Sequence, residues 1–303
     1  MADAAALRLR SRFLAGALLV LAAGLCWSFT GVFIRLAPHL DSWQFLVYRG
    51  LGVAVAFALL ARSKGRGAML ADFLALGPLG IVATVALSLA AIGFIVALKL
   101  TSVANALFLS SCSPLLSAIL GFLILGERLD LRQIGSVALG FGGLAIIVGG
   151  GFEAGHVVGD LLALLSALSF AVVSVCMRLA PERDFGPAMI GYGVCSALVA
   201  AGVVVGEGAT LAPPPLETFA AFAAGFVLMG LGFALFLRGA PAVPAVGQTL
   251  LAQTETIFGP VWVWLAFGET PAAATLVGGA IILAAVVAMA LSGAGAPAPN
   301  VSN

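Results

Sequence analysis

The stretch Gly16–Pro38, GALLVLAAGLCWSFTGVFIRLAP, returns at Gly159–Pro181 as GDLLALLSALSFAVVSVCMRLAP. The two align without a gap over 23 residues at an offset of 143 and share ten identities. Leucine-rich segments can match by chance. The common ending Arg-Leu-Ala-Pro, at Arg35–Pro38 and Arg178–Pro181, is harder to ascribe to composition. A period this long makes the chain two copies of one unit. The expected units are residues 1–151 and 152–303, the second ending in a disordered Gly/Ala/Pro-rich tail over 293–303.

Neither copy can face water. Only 9% of the 303 residues are charged and 62% are hydrophobic, whereas soluble domains carry about a quarter charged residues. A bilayer span needs about 20 apolar residues. The sequence predicts ten such helices, at 13–36, 43–61, 73–98, 102–124, 132–150, 158–179, 187–206, 217–237, 244–267 and 272–292. Their length and lack of alternation exclude barrel strands. The first run follows Arg8, Arg10 and Arg12 like a signal peptide but is too long for a cleaved one.

Lys and Arg set the orientation. The N-terminus and the loops after spans 2, 4, 6 and 8 hold Arg62, Lys64, Arg66, Arg128, Arg132, Arg178, Arg183 and Arg238, while the other face holds Arg35 and Lys99 at helix ends. Both termini are expected in the cytoplasm, with the protein in the cell inner membrane. Five spans per copy is an odd number, so the second copy enters the membrane from the opposite side. Inverted repeats of this kind point to a transporter working by alternating access. The parallel continues: Asp41 and Gly50 pair with Asp184 and Gly193, Gly93-Phe94 with Gly232-Phe233, and Leu125-Gly126-Glu127 with Phe267-Gly268-Glu269.

With Ala97–Ala106, Ser113-Pro114, Leu125-Gly126-Glu127, Gln133-Ile134-Gly135 with Gly140, Gly142 and Gly143, and Arg49 in the second span, the chain resembles the drug/metabolite transporter superfamily. The likeness is to its ten-helix form of two EamA-type units and covers about residues 13–292. The resemblance implies an exporter with a central cavity between the halves. It looks closest to the aromatic amino-acid exporters of the YddG type. The second half departs from the first: Thr256 stands where Pro114 stands, and Tyr192 where Arg49 stands. Four-helix relatives use a glutamate in their first helix; this chain has none there, so their proton-exchange mechanism does not carry over.

Two ionisable groups sit deep in apolar runs. Glu255 is near the middle of the ninth span and Arg49 about a turn outside the middle of the second. Intramembrane charges of this kind are expensive and usually functional. Gln248, Thr249, Gln253 and Thr256 share with Glu255 an arc of about 160° at 100° per residue. Their functional reading is a polar wall in which Glu255 binds a substrate ammonium or a proton and the glutamines make hydrogen bonds. The competing reading is glue between helices. Arg49 has three candidate partners: Glu255, a loop carboxylate such as Asp41, or a substrate carboxylate. A purely structural arginine competes with a gating role. Asn105 and Ser111 are further candidates for substrate contact, and Pro114 and Pro260 for helix bending, Pro114 by freeing the Ser110 carbonyl. Trp27 and Phe170, equivalent in the repeat, could stack on an apolar substrate side chain; ordinary packing is the alternative. Tyr192 joins Arg49, Pro114 and Pro260 as a gating or structural residue.

The four cysteines lie in apolar runs and the two histidines in loops. No metal site or cofactor is expected, and a net charge of +1 gives no reason for a nucleic-acid partner. No nucleophile, base and orienter occur together, so an enzyme is not expected. The partners expected are the lipid bilayer and a small molecule; the oligomeric state is left open, a monomer included. The function expected is export of hydrophobic or aromatic amino acids and related small metabolites, with spans 1, 3, 4, 6, 8 and 9 as cavity walls. The rival readings are an exporter of drug-like cations or nucleosides with Glu255 as counter-ion, and a membrane-embedded lipid-modifying enzyme or scaffold.

Overall fold

The computed structural model describes residues 2–63, 65, 69–126, 129–153, 156–180, 183–239, 242 and 251–293. Among these, every regular element is a helix. In chain order they are α1 (Ala2–Ser28), α2 (Thr30–Arg35), α3 (Ser42–Ser63), α4 (Met69–Ala75), α5 (Gly77–Leu100), α6 (Val103–Ser110) and α7 (Ser113–Leu125). There follow α8 (Leu131–Glu153), α9 (Val157–Leu179), α10 (Gly186–Gly206) and α11 (Pro215–Ala223), a π-helical turn at Ala224–Met229, then α12 (Gly230–Gly239), α13 (Thr254–Phe267) and α14 (Ala273–Gly293).

Eight described segments are long and apolar enough to cross a bilayer, from Ser11–Arg35 to Pro215–Phe236. Two expected spans remain. The stretch 244–267 is described from residue 251, mainly as α13, and 272–292 corresponds to α14. The tail beyond residue 293 lies outside the described residues.

The helix ends follow local chemistry. Asp41 and Gln44 form a reciprocal capping pair at the start of α3: the Gln44 N–H donates to Asp41 Oδ1 at 2.7 Å, and the Asp41 N–H to Gln44 Oε1 at 3.2 Å. Asp130 and Gln133 repeat the device before α8. Gly126 and Gly268 close α7 and α13 in the left-handed conformation, φ +67° and +71°, which favours glycine.

Four of the expected spans are interrupted within their apolar runs. Pro114 was expected to bend the fourth span; the structure breaks it into α6 and α7. The Ser111 hydroxyl donates to the Phe108 carbonyl at 2.6 Å, not to the carbonyl of Ser110. The first span breaks at Phe29, where the Ser28 and Thr30 hydroxyls donate to the carbonyls of Leu25 and Trp27 at 2.6 and 2.8 Å. Such back-bonding competes with the helix ladder. The eighth span widens at Ala224–Met229, and the ninth turns at Gln253 before α13. Pro260 lies inside α13 without ending it.

Lipid is as apolar as leucine, so membrane helices associate through small residues rather than through the hydrophobic effect. Here the closest contacts are reciprocal. A methyl at Gly50 would stand 2.6 Å from the Gly193 carbonyl oxygen, and one at Gly193 would stand 2.8 Å from that of Gly50. Gly143 and Gly278 approach in the same mutual way, at 2.6 Å each. These pairs lock α3 to α10 and α8 to α14. Large apolar side chains such as Leu18, Leu123, Leu198 and Leu265 point outward, as a lipid-facing surface requires.

One end of the bundle is drawn shut. There, Arg35 Nε and Nη2 reach Glu269 Oε2 at 3.0 and 2.9 Å, and Glu269 Oε1 accepts the Val103 N–H at 2.8 Å. Glu217 accepts from the backbone N–H groups of His39 and Leu40 and pairs with the His39 ring. Lys99 donates to the carbonyls of Ala37 and Leu40. These bonds tie the ends of α2, α5 and α13 to the starts of α6 and α11.

Candidate functional site

A charge deep in a helical bundle must find compensation, and Arg49 does so only in part. It lies on α3, is 4% exposed, and its Nε and Nη1 atoms have no hydrogen-bond partner among the described residues. Its backbone is pressed against Gly225 in the wide turn of the eighth span: a methyl on Gly225 would lie 2.0 Å from the Arg49 carbonyl oxygen. The guanidinium is within electrostatic reach of Glu255 on α13 and of Tyr192, buried on α10. Arg49 and Glu255 form no ion pair within 4.0 Å, so each keeps capacity for another group. The expected contact of Arg49 with Asp41 is likewise absent among the described ion pairs. Arg49 and Tyr192 are the repeat-equivalent positions, and the packing of α3 on α10 brings them together.

Glu255 occupies the first turn of α13, where the helix dipole favours a carboxylate. Gln253 and Thr256, its expected companions, are buried at the same helix start. Gln248 and Thr249 lie outside the described residues.

Trp27 forms an aromatic wall with residues that sequence reasoning did not single out. Its ring centroid is 5.1 Å from that of Phe233 and 5.9 Å from that of Phe236, and Phe233 meets Phe57 edge-on at 5.5 Å. Gly232 makes the room, since a methyl there would fall 2.2 Å from Trp27 Nε1. That indole N–H is buried and has no acceptor among the described residues. The match of Gly232-Phe233 to Gly93-Phe94 was the signal for this wall. Phe170, equivalent to Trp27 in the repeat, does not join it. It is 47% exposed, on the side of α9 opposite Leu161. Met177 shares that arc and is also exposed, while Ala163 and Gly159, on the same arc nearer the closed end, are buried. The exposed part of this face of α9 therefore lies away from the shut end.

Asn105 and Ser111 are buried but already bonded. Ser111 serves the Phe108 carbonyl. Asn105 donates to Asp160 Oδ1 at 3.1 Å and accepts from the Thr275 hydroxyl. Asp160 was expected among the charged loop residues; it is in the first turn of α9 and 0% exposed. Its place two residues into the Gly16–Pro38 repeat was the available signal. Pro114 lies at the interruption between α6 and α7, whereas Pro260 lies inside α13, buried where α13 meets α6 through Gly259 and Leu107. A narrow cleft at the shut end is lined by Val103, Ala104, Pro260, Val263, Glu269 and Pro271.

The model of the EamA-like transporter family matches twice, at residues 14–149 and 157–291. An "Uncharacterized transporter" of Archaeoglobus fulgidus is 29% identical over 167 residues, covering 55% of this chain and 59% of the relative. The "Uncharacterized transporter YvbV" of Bacillus subtilis is 40% identical over 72 residues, 23% of each chain. The matched stretches thus span about three fifths and about a quarter of these curated relatives. A solved structure titled "Crystal structure of protein" superposes with a TM-score of 0.67 over 92% of this chain and 98% of its own, at 19% identity, a likeness of fold alone.

Proposed function

The chain belongs to the EamA-like transporter family, and from that premise we propose that it exports hydrophobic or aromatic amino acids and related small metabolites by alternating access. The carrying observation is the buried Arg49, with two nitrogen atoms unpartnered among the described residues and Glu255 within electrostatic reach, in a bundle that also holds the Trp27–Phe233 aromatic wall. A zwitterion complements this set. Its carboxylate fits the guanidinium fork, its ammonium fits Glu255, and its apolar side chain fits Trp27 and the phenylalanines. A sugar phosphate would require several converging cations, and Arg49 is the one intramembrane arginine in this group.

The architecture in this reading is ten spans in two inverted halves, 1–151 and 152–303. Support comes from the two family matches, the mutual glycine contacts Gly50–Gly193 and Gly143–Gly278, the twin left-handed caps Gly126 and Gly268, and the paired interruptions at Ser111 and Gln253. Arg and Lys concentrate opposite the shut end, which supports cytoplasmic termini in the inner membrane and an outer face that is closed. Gln253, Gln248, Asn105, Ser111 and Phe170 complete the proposed path; Tyr192, Pro114 and Pro260 move with its walls.

Counterflow in proteoliposomes with a panel of labelled amino acids tests the reading. Exchange of aromatic and branched species, lost in Glu255→Gln with the protein intact, is the expected result. Exchange of cations or nucleosides instead would make Glu255 a counter-ion and overturn the substrate class.

A further inference from the structure

Asp160 is the one carboxylate in the described structure with no exposed surface, and the transport path proposed above does not use it. It lies where four segments meet. Oδ1 accepts the Thr101 hydroxyl at 2.8 Å, from the link between α5 and α6, and the Asn105 amide at 3.1 Å, from α6. Thr275 on α14 donates to the same amide. Gly159, its neighbour, is wedged against Leu100 and Thr101, where a methyl would fall 2.9 Å from the backbone. Two of these segments precede residue 152 and two follow it, so the junction bridges the two halves at the shut end.

The second carboxylate oxygen is the anomaly. Oδ2 is fully buried and has no partner among the described residues. The groups bonded to Asp160 or its amide are all neutral: Thr101, Asn105 and Thr275. His156, the residue just before α9, is the titratable group within electrostatic reach among the described residues. Lys99 turns away to the carbonyls of Ala37 and Leu40. The helix dipole at the first turn of α9 offsets part of the cost of an anion, but a buried carboxylate with one unsatisfied oxygen still costs more than the neutral acid.

We propose that Asp160 is a proton-binding site that links closure of this end of the bundle to uptake of one proton. In the closed junction Oδ2 carries hydrogen. When Thr101, Asn105 and Thr275 draw apart, water enters, the Oδ2–H bond breaks heterolytically, and the proton passes to water. The closed form binds one proton more than the open form, so acid favours closure and alkali favours opening. The site rests on reading the chain as two halves that part at this end, and its proton need not be the energy source for export.

Infrared difference spectra of the purified full chain against pH read the site without any substrate. The C=O stretch of a protonated carboxylic acid is expected in the unmodified protein, reduced in Asp160→Asn and kept in Glu255→Gln. Because Glu255 can add to the same band, the Asp160 share is read as the intensity lost in Asp160→Asn; a band of unreduced intensity there, or loss of the whole band in Glu255→Gln alone, overturns the proposal. If Asp160→Asn does not fold, Thr101→Val removes one donor from the carboxylate and leaves the acid. The pH at which the band disappears should then move upward, and an unmoved titration overturns the proposal. Failure here leaves the counterflow result standing, and a failed counterflow panel leaves this band unaffected.

Discussion

Arg49 separates stability from function at the scale of a single residue. Replacing a buried charge whose hydrogen bonds are incomplete by an apolar side chain of similar size removes a desolvation cost. Arg49→Leu is therefore expected to keep or raise the thermal midpoint in detergent while counterflow falls about tenfold or more, as loss of about 1.5–3 kcal/mol of charged hydrogen bonding would require. A midpoint and a flux that fall together would make Arg49 structural. Gly232 makes the converse case. Gly232→Ala drives a methyl into Trp27 and should lower stability by about 1–3 kcal/mol. Gly142→Ala, with nothing within 4 Å, should not. Comparing the two thermal midpoints checks the seat of the indole. Arg49 and Glu255 were legible in the sequence because charges stand out in apolar runs. Asp160 and Glu217 were not, because a carboxylate near a span end looks like a loop residue until packing covers it.

The spans were legible as elements because length and hydropathy alone define them. Their interruptions were less so. Pro114 announced one, but the breaks at Phe29 and Gln253 arise where hydroxyls of Ser28, Thr30 and Thr254 turn back onto carbonyls, and those residue types are equally at home in an unbroken helix. The wide turn at Ala224–Met229 has no proline at all. Pro114→Ala returns a backbone donor to the junction of α6 and α7. It is expected to slow amide exchange around Ser111–Leu115, to stabilise by up to about 3 kcal/mol, and to slow counterflow if the joint bends during transport.

At the scale of the molecule, the shut end depends on partly exposed polar ties. The Arg35–Glu269 pair has side chains about a quarter exposed, so it contributes at most about 1 kcal/mol. Glu269→Gln should raise the ratio of open to closed forms roughly fivefold, read as faster labelling of a cysteine introduced at Ala104. No change in labelling would place the closure in the buried packing instead. The duplicated plan itself was visible in the Arg-Leu-Ala-Pro ending and the matched glycines, whereas which end is shut depends on long-range side-chain pairings that no local pattern encodes.

The π-helical turn sets a limit on the kinship of the halves. The eighth span widens beneath Arg49, while its counterpart α5 runs as plain α-helix from Gly77 to Leu100. Two units built on unlike helices cannot trade shapes perfectly. A molecule that loads from one side and empties to the other through them would populate its two open states unequally, and the substrate concentration that half-saturates it should differ between the two faces, although net flow vanishes when the solutions match.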